Sequence, residues 1–157
     1  MGDKSFDVIA EEYVEYIRGY SEEFFKIMTQ VNPDVKSKSR ANTISQYAWE
    51  KLYRFSSRLR ENDHANGRRF LTDSCGTLYF YNSQQKKYAS IRDICDKIQH
   101  QNLQGDFDLS NGKHELILTG YNQKGDKWEL RFDVKEFLDK SIMAARAIYS
   151  NSNNSLF

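Results

Sequence analysis

The sequence predicts an α+β fold in one domain, with helices packed on a small antiparallel hairpin sheet. Three observations carry that reading. Apolar residues recur three or four apart over long stretches near both ends. Two adjacent stretches alternate with period two around a glycine-containing turn. A short helix between these regions carries its own start signal. At 157 residues one domain is the default, here residues 1–149 followed by a flexible tail at 150–157. Aromatic residues make up 14% of the chain, enough apolar material for a core.

The first helix is expected from Ser5 to about Gln30. Phe6, Ile9, Tyr13, Ile17, Tyr20, Phe24 and Ile27 form its apolar seam, and Glu11, Glu12, Glu15, Glu22 and Glu23 take the other face. A coiled coil is one use of that spacing. The aromatic-rich seam favours packing on the helix's own domain. Asn32-Pro33-Asp34 ends it, because proline restricts the residue before it and cannot continue the helix. Lys36, Lys38 and Arg40, interleaved with serine, read as a short basic linker. A second helix follows from about Thr43 to Arg60, burying Ile44, Tyr47, Ala48, Leu52, Phe55 and Leu59. The run from Asn62 to Gly67 reads as a loop.

Thr77–Tyr81 is β-branched and aromatic, and it predicts a short strand. Ser90–Gln101 is the best-specified helix. Ser90 is the N-cap, Asp93 stands in the capping-box position, and Ile91, Ile94, Cys95 and Ile98 fall within about 100° of arc. His114–Tyr121 and Lys127–Val134 alternate with period two, and Asn122–Asp126 supplies the turn between them. Leu116 and Leu118 share one face; Trp128, Leu130 and Phe132 form the apolar face of the partner strand. Asp106–Leu109 is a candidate third strand. A last helix starts near Val134, with Asp133 as N-cap and Glu136 in the capping-box position.

A net charge of +1 argues against a surface given over wholly to nucleic acid. Cys75 and Cys95 match no metal spacing, and the three histidines are too scattered for a zinc site, so neither metal nor cofactor is expected. Phosphate-loop, dinucleotide and nucleophile-elbow patterns are lacking. No apolar run is long enough to cross a bilayer, nothing at the start reads as a signal peptide, and the expected location is the reducing cytoplasm.

Two clusters are candidates for chemistry. Arg92, Asp96 and His100 lie at i, i+4 and i+8, so they share a stripe beside the apolar arc of their helix. An acid near a histidine fixes its tautomer, and an arginine beside them stabilises phosphate charge. The bland alternative is a set of i, i+4 surface pairs, Arg92 with Asp96 and Asp96 with His100. The second cluster is basic. Arg58, Arg60, Arg68 and Arg69 converge around His64 if the loop folds back, forming a binding surface.

The stretch Cys95-Asp96-Lys97-Ile98-Gln99-His100 resembles a degenerate HEPN signature. That signature reads Arg, then Asn, Asp or His, then three variable residues and His near a helix end. Asp96 and His100 match, whereas Cys95 stands where arginine is expected. The resemblance implies a module of prokaryotic or phage type from a defence or toxin–antitoxin system. Active HEPN members are metal-independent ribonucleases that work as dimers. Without the signature arginine, the expectation is a non-catalytic interaction module whose partner is protein, including its own copy, or RNA. The competing expectation is a ribonuclease using Arg92, Asp96 and His100, or Arg58 and His64 in a second HEPN-like spacing. The order of helix ending in His, hairpin and amphipathic helix is also similar to uncharacterised bacterial proteins with a CNKIIH-type helix.

Overall fold

The computed structural model describes residues 4–101 and 105–154. Among the described residues, four helices stand on one five-stranded antiparallel sheet whose strands lie in the spatial order β2 (Gln85–Ser90), β1 (Ser74–Phe80), β5 (Lys127–Asp133), β4 (Glu115–Tyr121) and β3 (Asp106–Asp108). Helix α1 (Phe6–Met28) and helix α2 (Val35–Ala65) pack along each other, α1 crosses α4 (Val134–Asn154), and α2 crosses α3 (Ile91–His100). The expected long first helix is therefore packed within the domain. Its buried line runs through Ala10, Val14, Ile17 and Phe24, slightly rotated from the expected seam, and Phe6 and Tyr13 are only partly covered.

Two departures concern α2. The basic stretch of Lys36, Lys38 and Arg40 is not a linker, because the helix begins at Val35. Asp34 caps it, its carboxylate accepting the Ser37 amide at 2.7 Å. Arg40 Nε then reaches Glu23 on α1 at 3.1 Å. The helix also outlasts Arg60. Most of the expected 62–67 loop is its final turn, since Asp63 continues the buried line of Leu52, Phe55, Ser56 and Leu59. At 31 residues, α2 is about 46 Å long. It ends in a Schellman motif: Gly67 takes φ +93°, and the Arg68 amide returns to the Asp63 carbonyl at 2.8 Å.

The sheet is larger than a hairpin. Strand β1 (Ser74–Phe80) begins ahead of the expected Thr77 and lies inside the sheet, next to its β2 edge, pairing with β2 and β5. Gly76 permits that: a Cβ there would lie 2.4 Å from the Arg131 carbonyl oxygen. Strand β2 (Gln85–Ser90) is a lysine-bearing edge strand with no apolar alternation to reveal it. Strands β3 (Asp106–Asp108), β4 (Glu115–Tyr121) and β5 (Lys127–Asp133) follow expectation within one residue, with Leu118 opposite Leu130. Leu78, Leu118, Trp128, Leu130 and Phe132 bury one face with the helices, while Thr77, Tyr79, Thr119, Glu129 and Arg131 are half-exposed on the other.

Helix α3 starts with the expected capping box. Ser90 Oγ accepts the Asp93 amide at 3.1 Å, and the Asp93 carboxylate accepts the Ser90 amide at 3.0 Å. Ile91, Ile94, Cys95 and Ile98 are all buried. Helix α4 starts at Val134, and the Asp133 carboxylate accepts the Glu136 amide. The helix continues to Asn154, past the point where a tail was expected. Asn151 supplies one reason: its amide donates to Asn66 at 3.0 Å, and its carbonyl accepts from Arg69. Tail residues 155–157 lie outside the described residues. Among the described residues, no helix is long and apolar enough to cross a membrane.

Candidate functional site

Helices α2 and α3 meet at their charged ends, and the chain segment between Asn66 and Leu71 folds over that junction. The result is a polar cavity of about 530 Å³. Three arginines line it, Arg60, Arg68 and Arg92, with His64 beside them. Three carboxylates line it too: Glu61, Asp63 and Asp96.

Asp63 organises the cavity. It is only 1% exposed, on the core-facing side of α2. A carboxylate removed from water needs its lone pairs filled. One oxygen of Asp63 accepts the Phe70 amide at 2.9 Å, and the other accepts from the Arg92 guanidinium. Its carbonyl takes the Arg68 amide. One residue thus ties the end of α2 to the following loop and to α3. Composition does not reveal it, because Asn62-Asp63-His64 reads as loop. The helical spacing does, since Asp63 lies four residues after buried Leu59.

The stripe on α3 is not paired along its own helix. Arg92 reaches Asp63 on α2, and Asp96 forms an ion pair with Arg60, its carboxylate 2.8 Å from Nε. The expected surface pairs of Arg92 with Asp96 and of Asp96 with His100 are thus replaced by cross-helix pairs. Asp63 lies beyond a helix ending at Arg60, so its pairing with Arg92 depends on the longer α2. His100 is exposed at the last turn of α3 and does not line the cavity. Arg92, Asp96 and His100 are therefore not gathered into one cavity.

The basic cluster divides. Arg60, His64 and Arg68 meet in the cavity. Arg68 Nε lies 2.5 Å from His64 Nδ1, so that nitrogen accepts and carries no proton in this arrangement. Arg58 points to the opposite side of α2, into a cavity with Tyr13, Tyr16 and Lys51. Six residues along a helix amount to roughly 240° of rotation, which separates Arg58 from His64. Arg69 turns toward α4, where it bonds Asn151 and lies 5.0 Å from the Phe70 ring.

No family model matches this chain, and no curated protein or solved structure matches it significantly.

Arg68 is distinctive in two ways. Its backbone is left-handed at φ +58°, which is uncommon for a residue with a side chain. Among the described residues it has no carboxylate partner, unlike Arg60 and Arg92. Glu61, exposed one turn away on α2, likewise makes no ion pair among the described residues. Tyr53 lies farther back along the same helix and is 43% exposed.

Position 95 has a plain structural role. Cys95 is fully buried in the core of α3, and burial pushes its thiol up to about 12. A charged side chain there would be driven into the core. Cys75 is also buried and free, its thiol likewise raised to about 12. Among the described residues, no group of three or more His, Cys, Asp or Glu side chains is disposed to hold a metal ion.

Proposed function

We propose that this protein is a non-catalytic interaction module that binds a second copy of itself through the mouth of the α2–α3 cavity. The observation that carries this is the charge pattern of the mouth. Arg68 and Glu61 are left over after Arg92–Asp63 and Arg60–Asp96 pair. A patch in which Arg68 and Glu61 have no ion-pair partner among the described residues is self-complementary under a two-fold axis, so that Arg68 meets the partner's Glu61 and Glu61 meets the partner's Arg68. The left-handed Arg68 backbone and the exposed Tyr53 ring suit such an interface, where arginine and tyrosine are enriched.

Protein is favoured over RNA as the partner. Three carboxylates stand among three arginines at the cavity, and a phosphate backbone would meet repulsion as often as attraction. The ribonuclease alternative needs Arg92 and Asp96 beside His100, or Arg58 beside His64, but His100 lies outside this cavity and Arg58 lines a different one from His64. The HEPN-like helix suggests a prokaryotic or phage module from a defence or toxin–antitoxin system, working in a reducing cytoplasm.

Light scattering across a concentration series tests the interface. Arg68→Glu should abolish association, and Arg68→Glu with Glu61→Arg should restore it. A strictly monomeric wild type contradicts the reading. Incubation of the wild type with total RNA in EDTA tests the catalytic alternative. Cleavage that is lost on His64→Ala with His100→Ala contradicts the non-catalytic part.

A further inference from the structure

Another cavity lies along the N-terminal half of α2, between α1, α2 and the β3–β4 edge of the sheet, with a volume of about 420 Å³. That is within the range of small-molecule sites. Its walls are largely apolar and aromatic, with Tyr20, Phe24, Trp49 and Phe107 among them. Two polar side chains meet in it. Ser21 Oγ from α1 lies 2.7 Å from His114 Nδ1, which enters from the residue before β4. The His114 ring stacks on Phe24 at 5.0 Å, and Phe107 meets Phe24 edge-on at 4.9 Å.

We propose that this cavity binds a small uncharged aromatic molecule bearing a carboxamide-type head group, anchored by Ser21 and His114. The chemistry follows from what lines the walls. Neither lysine nor arginine is among the described lining residues, so a carboxylate or phosphate finds no counter-ion. Asp106 is the one charged residue among the described lining residues; it is exposed, and its carboxylate accepts the Phe107 amide. His114 stays neutral at ordinary pH, because burial lowers it to about 4.

A neutral imidazole and a hydroxyl, bonded to each other, keep one donor and one acceptor between them in either tautomer. If Ser21 donates, Nε2–H remains a donor and the serine oxygen an acceptor. If Nδ1–H donates, Nε2 remains an acceptor and the hydroxyl a donor. Gln101 Oε1 adds a buried acceptor with no partner among the described residues. A carboxamide supplies both a donor and an acceptor, and its ring suits the aromatic walls.

The pair is an anchor and not a nucleophile with its base. Ser21 sits within α1, where the neighbouring backbone amides are already bonded along the helix. They cannot serve as oxyanion donors.

Amide-resolved NMR titration of the full chain with benzamide, and with benzoate as its charged counterpart, tests the site. Saturable shifts at Ser21, Trp49 and His114 are expected with benzamide, with a Kd on the order of 1 mM for a molecule this small. Benzoate should bind about tenfold weaker or not at all. Ser21→Ala should weaken benzamide roughly fivefold, one hydrogen bond's worth, and His114→Phe, which keeps the ring stack, should weaken it further. Equal binding of the two probes, an absence of saturable shifts with benzamide, or shifts indifferent to both substitutions would overturn the assignment.

Discussion

The Arg92 guanidinium on α3 donates to the buried carboxylate of Asp63 at the end of α2. The carboxylate is 1% exposed and the arginine 32%. Removing one member of a buried pair leaves an uncompensated charge, which generally costs more than the pair contributes. The same carboxylate also holds the Phe70 amide at 2.9 Å.

Asp63→Ala should therefore destabilise the protein by about 3 kcal/mol, combining loss of the pair with an unsatisfied Phe70 amide. Arg92→Met should cost at least as much, because it strands a carboxylate that is 1% exposed, whereas Asp63→Ala leaves an arginine that is 32% exposed and can reach water. Urea unfolding of both variants measures this. Equal stability of Asp63→Ala and wild type would remove Asp63 from its central place.

His114 sets a pH dependence with a defined sign. Burial lowers its folded-state value from 6.5 to about 4, partly opposed by Asp133. Between those values the unfolded chain binds a proton that the folded chain does not, so stability rises with pH there. The contribution is full above 6.5 and is lost as pH falls toward 4, amounting to at most about 3 kcal/mol. Urea midpoints at pH 7 and pH 5 should differ for the wild type. The difference should shrink for His114→Phe; an unchanged difference would assign the slope to carboxylates instead.

Both thiols should be inert in the native state. Cys75 and Cys95 are buried, and each is raised to about 12. The thiolate, which is the reactive form, is scarce near neutral pH. A colorimetric thiol reagent at pH 8 should label neither cysteine until denaturant is added. Fast labelling of the native protein at Cys95 would mean that α3 opens readily, and at Cys75 that β1 does.

The sheet and helices were legible where the pattern was periodic. Ser90 with Asp93, and the Leu116–Phe132 hairpin, follow from spacing alone because local chemistry and burial agree there. β2 was hidden, since an edge strand such as Gln85–Ser90 needs little apolar alternation. The start of α2 was obscured by its Lys/Ser composition, although Asp34 was in place to cap it. In the candidate site, the residue types were legible but their pairing was not. Arg60–Asp96 and Arg92–Asp63 join α2 and α3, and no spacing within either helix encodes which side chains meet across the packing interface. Asp63 itself was legible only as one more position on the Leu52–Leu59 stripe. His100 shows the opposite error: its helical spacing is correct, but its end of the stripe lies beyond the cavity.

The most direct measurement is the light-scattering mass across a concentration series for wild type, Arg68→Glu, and Arg68→Glu with Glu61→Arg. A dimer, a monomer and a restored dimer are expected, with the wild-type association weakened by salt because both charges are exposed. A wild type that stays monomeric throughout, or a dimer indifferent to Arg68→Glu, would contradict this interface.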